Sequence, residues 1–283
     1  MKKKKIIGVV LIAIGLLCVF GVFRVKAGAP KTAETISNAV YISDGKVLAE
    51  NEGKVVIVPG TLDADLPYVD KETGIKINSI VAFREVEKLY VREETENDKT
   101  YEYWSWEQTV NQNDYGGTKR IFAPNITLGE FGVSEELIEY VSLGKHRDEY
   151  NDKKELNQRG WHRFLDDGKA YLYAGDYMPE NGDKYGKLYA DCRNTLRVFY
   201  QEMDGGLDYT IIAMQQNGKL VRVPDVTLRA AHTGHMTKED LLADAESDAK
   251  GSMIIAIVGA VICLGVGAFL LVKKEKTAPD MGK

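Results

Sequence analysis

Two uncharged apolar runs bracket a chain whose interior alternates. "IIGVVLIAIGLLCVFGVF", from Ile6 to Phe23, follows four lysines, and "MIIAIVGAVICLGVGAFLLV", from Met253 to Val272, precedes Lys273, Lys274 and Lys276. As helices they span ~27 and ~30 Å at ~1.5 Å per residue, enough to cross the hydrocarbon core of a bilayer. The lysines at both ends are expected to hold residues 1–5 and 273–283 in the cytoplasm as basic tails. Residues 6–23 and 253–272 are then membrane helices, and 24–252 lie across the membrane. A cleaved signal peptide is the competing reading, since Ala27-Gly28-Ala29 offers an Ala-x-Ala site. Cleavage there would leave Pro30 first, and the apolar run exceeds the usual ~7–15 residues.

Between the helices the dominant period is two. "VVIVPG" (55–60), "SIVAFREVEKLYVREE" (79–94), "TYEYWSWEQTV" (100–110), "KAYLYAG" (169–175), "KLYADCRNTLRVFYQEM" (187–203) and "DYTIIAMQQNGKLVRV" (208–223) are rich in β-branched and aromatic residues, with turn formers between them. "TENDK" (95–99) reads as a hairpin tip, and Asn217-Gly218 as a tight hairpin turn. Two helices are expected to interrupt the strands: "EELIEYVSLG" (135–144), capped by Ser134, and "KEDLLADAESDAK" (238–250), where Thr237 and Asp240 suggest a capping box. The second is a candidate stalk continuous with the membrane helix. The expected class is an α+β membrane protein: two transmembrane helices flanking one β-rich, mainly antiparallel extracytoplasmic domain.

Charge sharpens this picture. Residues 27–272 carry 27 basic and 40 acidic side chains, a field that disfavours nucleic acid and anionic surfaces as general partners. Cys18 and Cys263 fall in the membrane runs, so Cys192 stands alone in the domain and no disulfide can brace it.

Candidate chemistry is sparse. Cys192, with a histidine such as His162 and an arginine such as Arg197, has the residue types of a sortase-like cysteine transpeptidase, but "YADCRNTLR" lacks the Thr-Leu-x-Thr-Cys signature. Strand alternation places Cys192 with Leu188, Ala190, Leu196, Val198 and Tyr200, the setting of a buried thiol. His232 and His235 in "HTGH" have a spacing suited to metal ligation, yet no third ligand is recognisable. No phosphate-binding loop, nucleophile elbow or His-Glu-x-x-His motif occurs, so no catalytic residue and no cofactor is expected. In "YEYWSWEQT" (101–109), alternation puts Trp104 and Trp106 on one face and Tyr101 and Tyr103 on the other. The tryptophans are expected inward, the tyrosines at a wetter contact surface. Small residues in both apolar runs (Gly8, Gly15, Ala256, Gly259, Ala260, Gly267) would let the helices approach closely, as a hairpin within one chain or in a homo-oligomer.

Several stretches, taken in order, resemble one family. "ENEGKVVIVPGTL" (50–62), "TGIKINSIVAFREVEKLYVREETE" (73–96), "YEYWSWEQ" (101–108), "APNITLGEFGVSEELIEYV" (123–141), "GKLVRV" (218–223) and "HTGHMTKEDLLADAESDAKG" (232–251) are similar to segments of the transmembrane protein 43 family, also called LUMA. The resemblance implies a membrane-resident scaffold without established catalytic residues. In eukaryotes its large domain is expected to face the endoplasmic reticulum lumen or perinuclear space. There it implies organisation of protein complexes at the inner nuclear membrane around emerin and lamins. The short lysine-rich N-terminus looks more bacterial, which would put the chain in the plasma membrane with the domain outside. The animal proteins continue into further membrane helices, whereas this sequence ends eleven residues after Val272. The competing function is an exported enzyme or ligand receptor, for instance a cysteine-dependent transpeptidase centred on Cys192 or a carbohydrate binder using exposed aromatics.

Overall fold

The computed structural model describes residues 2–96, 99–147, 161–166, 169–174, 196–203 and 207–272. Two long helices run antiparallel: α1 (Lys2–Asn38) and, at the other end of the described chain, α3 (Lys238–Val272). Each extends well beyond its apolar run. α1 does not stop at Phe23 but continues fifteen residues to Asn38, through Pro30, whose missing N–H leaves a carbonyl one turn back without its helical donor. α3 begins with the expected reciprocal cap: Thr237 N–H donates to Asp240 Oδ2 at 3.0 Å, and Asp240 N–H to Thr237 Oγ1 at 3.2 Å. Those two bonds satisfy donors that a helix start leaves orphaned, and the Thr237 N–H, together with the Thr237 hydroxyl donating to the same Oδ2 at 2.9 Å, holds the Asp240 carboxyl below its usual range.

The first sheet contains β1 (Val40–Tyr41), β2 (Val55–Asp63), β8 (Thr127–Leu128), β9 (Phe131–Val133), β14 (Asp208–Gln216), β15 (Lys219–Val221) and β16 (Ala231–Thr233). Its spine is the antiparallel β2–β14 ladder, from Asp208 opposite Thr61 to Met214 opposite Val55. "VVIV" in β2 is apolar at successive positions because both faces are covered. Val56 and Val58, with Ile211 and Ala213, enter a core with Leu62, Leu128 and Phe131; Ile57 and Ile212 turn the other way, against Ile36 of α1, Ala39 just beyond it and Leu241 of α3. The helical stalk is thus built into the domain's own core. Asn217 and Gly218 both adopt positive φ (52° and 73°) between β14 and β15, the tight turn that Asn-Gly signals.

The second sheet has the order β11 (Trp161–Asp166), β12 (Lys169–Ala174), β13 (Leu196–Met203), β5 (Val81–Glu96) and β6 (Lys99–Gln108). β10 (Leu143–His146) continues the edge of β13, and β7 (Lys119–Phe122) the edge of β5. A two-stranded hairpin, β3 (Tyr68–Val69) and β4 (Lys76–Ile77), lies against this sheet through Ile75 and Ile77. All ladders in the second sheet are antiparallel; in the first, β1–β2 and β9–β15 are parallel.

The helix expected over 135–144 is largely corrected. Only Glu135–Ile138 (α2) is helical, Ser134 makes no side-chain cap bond to it, and Leu143 and Gly144 belong to β10. Leu137, Ile138 and Val141 are all buried in the first core, and the chain leaves the helix after Ile138 to run on into β10. For the strand expected over 187–203, only Leu196–Met203 lies within the described residues.

Candidate functional site

β13 and β5 form the centre of the second sheet, and each of its faces buries an arginine. Ala82, Arg84 and Val86 share one face by alternation, so Arg84 projects into the apolar core formed by Val86, Leu172, Val198 and Trp161. It is fully buried. A guanidinium there survives only if its charge and donors are matched. Asp70, from the loop between β3 and β4, supplies both: Arg84 Nη1 donates to Oδ1 and Oδ2 at 2.8 Å. Nε and Nη2 donate to the Gly117 carbonyl at 3.2 and 3.1 Å. Tyr200, opposite Arg84 on β13, donates its hydroxyl to Asp70 Oδ2 at 2.8 Å and is bonded to Thr73 Oγ1 at 2.5 Å. Trp161 Nε1 closes the cluster on the Thr73 carbonyl at 2.9 Å.

Two glycines let the 109–118 loop reach over this cluster. Gly116 and Gly117 have φ of 71° and 65°; a Cβ on Gly116 would sit 2.5 Å from Arg84 Nη2, and one on Gly117 would sit 2.7 Å from the Val110 carbonyl. Sidelong to the cluster, the Tyr68 hydroxyl is buried without a hydrogen-bond partner among the described residues.

Burial and the Asp70 charge raise the phenol of Tyr200, and burial followed by Asp70 and Glu202 raises that of Tyr68. Burial also raises Tyr115, which is more exposed and counts for less. In the unfolded chain a phenol ionises near pH 10, while in the fold it holds its proton to higher pH. The stabilisation is therefore complete below pH 10 and lost as pH rises beyond it, by about 1.4 kcal/mol per pH unit for each such phenol. Urea unfolding of the detergent-solubilised full chain between pH 9.5 and 11.5 should show this loss. Tyr200→Phe should start lower at pH 9.5, having lost two hydrogen bonds, and decline less steeply.

On the opposite face, Arg197 is nearly as buried. Its Nε donates to Glu87 Oε2 at 2.6 Å, and its guanidinium lies over Trp106 at 4.4 Å and Tyr171 at 3.9 Å. Phe199 meets Tyr171 edge-on at 5.1 Å. Trp106 is therefore directed inward as expected, but into this small aromatic cluster, on the face away from the main core. Tyr101 is exposed on the other face of β6; Tyr103 pairs with Arg92 in the ladder, and its side chain and that of Trp104 lie outside the described set.

The remaining candidate residues do not assemble. Cys192 lies outside the described residues. His162 shares a cross-strand row with Tyr173, Arg197 and Glu87, and only its backbone is described. Arg197 is committed to Glu87 and two rings. His232 has both ring nitrogens engaged, Nδ1 with Asp244 Oδ2 at 2.9 Å and Nε2 with the Arg229 carbonyl at 2.9 Å. His235 is exposed and lies 3.9 Å from Asp208. Among the described residues no three His, Cys, Asp or Glu side chains gather as a metal-ligand set. Sequence reasoning missed the Arg84–Asp70–Tyr200 cluster, although an arginine in phase with Ala82 and Val86 was the available signal.

A β-rich domain of two main sheets, standing on two antiparallel apolar helices, defines a membrane protein. Its helices present large apolar side chains outward along their length, among them Leu17, Phe23, Ile255 and Val261. The chain belongs to the transmembrane protein 43 family, whose model matches residues 90–278. That family is not a known enzyme family. No curated protein and no solved structure matches the chain.

Proposed function

We propose that the chain is a non-catalytic, membrane-anchored scaffold. Its β domain engages other membrane proteins and helps to organise the membrane that holds it. The observation that carries this reading is the continuity of the stalk: α1 and α3 leave the bilayer as helices and end in the domain's core, at Ile36, Ala39 and Leu241. A domain so mounted is held at a set height and orientation, which suits docking at a surface. The hairpin β5–β6, with Tyr101 exposed and Tyr103 two residues on, is the proposed contact surface. The lysine bias at both ends supports a domain facing away from the cytoplasm: outside the plasma membrane in a bacterium, towards the lumen or perinuclear space in a nucleated cell.

Comparative capture from solubilised membranes tests it. Tyr101→Ala with Tyr103→Ala should lose proteins that the unaltered chain retains, while melting at the same temperature. Retention of the same set would remove the hairpin from the interface. Protease added from the cytoplasmic side should leave residues 24–252 intact; cleavage there would reverse the topology.

A further inference from the structure

The helix pair is tight in the membrane and open just above it. Around Gly8, Gly15, Gly259 and Gly267 an added Cβ would meet the opposite helix within 3.4 Å, whereas Gly28, higher on α1, lines an open space where a Cβ would meet nothing within 4 Å. Into that opening fits a cavity of about 540 Å³, within the range of small-molecule sites, ~300–1,000 Å³. Val25, Ala29 and Ile36 of α1, Ala245 and Ala249 of α3, and Leu228 make its walls largely apolar. From Arg24 to Ile36 it extends ~18 Å along α1 at ~1.5 Å per residue.

Its position relative to the bilayer gives it meaning. Arg24 follows the last residue of the first apolar run, and Ser252 precedes the first residue of the second. The lower end of the cavity therefore sits at the level of lipid headgroups. Two arginines line it. Arg24 lies 5.4 Å over the Phe20 ring, and Arg229 uses Nε on the Ala231 carbonyl at 3.2 Å. Neither has a carboxylate within ion-pairing distance among the described residues: Asp244 is taken by His232, and Asp248, the acidic residue of the lining, is not paired with either. A long apolar cavity with uncompensated guanidinium groups, open at headgroup height, is complementary to a molecule with a phosphate at one end and a hydrocarbon body.

We propose that this cavity is a binding site for an anionic phospholipid from the adjoining leaflet, its phosphate held by Arg24 and Arg229 and its apolar portion against Val25, Ala29 and Ala249. The bound lipid joins α1, α3 and the 227–232 segment, which ties the domain to the composition of its membrane. This holds whichever protein the β domain engages.

The test uses the full chain in a neutral detergent, with phosphatidylglycerol or phosphatidylcholine added, and counts retained lipid by native mass spectrometry. Phosphatidylglycerol should be retained about tenfold more than phosphatidylcholine, a difference removed by Arg24→Gln with Arg229→Gln. Gly28→Leu with Ala249→Leu, which fills the cavity and leaves both charges, should abolish retention of either lipid without lowering the melting temperature. Retention unchanged by the cavity-filling pair overturns the proposal. So does competition by glycerol 3-phosphate at the concentration effective for the lipid, since the site would then read a free phosphate.

Discussion

Arg84→Met is expected to cost the β domain about 3–5 kcal/mol, because it leaves Asp70 as a buried carboxylate without its cation. The Asp70 side chain would keep its bonds from Tyr200 and the Glu72 N–H, which solvate it only in part. Adding Asp70→Asn to Arg84→Met should recover ~1–2 kcal/mol, since the second change removes the stranded charge while retaining an acceptor for Tyr200. Tryptophan fluorescence during urea unfolding of the full chain in detergent is well placed to see this. All three tryptophans, Trp104, Trp106 and Trp161, lie on strands of the second sheet. A loss under 1 kcal/mol for Arg84→Met, or a further loss in the double variant, would show that the ion pair does not hold the hairpin 68–77 to the sheet.

That buried pair also marks where the sequence stopped being legible. Runs rich in β-branched and aromatic residues identified β2, β5, β6, β12 and the β14–β15 hairpin, because each is long enough to show a strand's composition between turn residues, β2 as an unbroken apolar stretch covered on both faces. β1, β3, β4 and β8 have two residues each, too few to carry any period; β1 and β8 form along the edge of the longer β2, and β3 and β4 pair with each other. The reciprocal cap at Thr237 was readable because its two partners are three residues apart. Asp70 and Arg84 are fourteen apart and Thr73 and Tyr200 are 127 apart, so only the fold brings them together. The phase of Trp106 was read correctly, with an incomplete picture of its surroundings. Inward for Trp106 meant a second, smaller cluster, since Arg197 and Phe199 arrive on that face from β13.

The apolar runs were legible by composition, but their partner was not. Small residues permit close approach in one chain or between two, and only the antiparallel contact between α1 and α3 distinguishes them. A helix pair continuous from membrane to domain core also joins two conclusions that would otherwise be separate. The helices that enter the domain's core are the same structure that lines the cavity above the glycine contacts. A change that parts the helices within the membrane therefore reaches the domain through Ile36 and Leu241.

Gly267→Leu is expected to part them. The Gly267 Cβ would lie 2.8 Å from Ile12 Cγ1, 2.9 Å from the Gly8 carbonyl oxygen and 3.2 Å from Ile12 N, and backbone atoms cannot turn aside as a side chain can. In lipid, helices associate through such packing rather than through a hydrophobic driving force, so lost contact has no other source of compensation. Proximity can be read chemically because Cys18 Sγ lies 3.4 Å from where a Gly259 Cβ would stand. In a chain with Cys192→Ala and Cys263→Ala, Gly259→Cys should form a disulfide with Cys18 on mild oxidation, measured by loss of free thiol without a doubling of mass. Adding Gly267→Leu should slow that oxidation about tenfold, equivalent to ~1.4 kcal/mol against the closed pair. Gly265→Leu, at a site with nothing within 4 Å, should leave the rate unchanged. Equal rates in all three chains would mean that the helices do not meet through Gly8 and Gly267, and a product of doubled mass would assign the glycine contacts to a second copy of the chain.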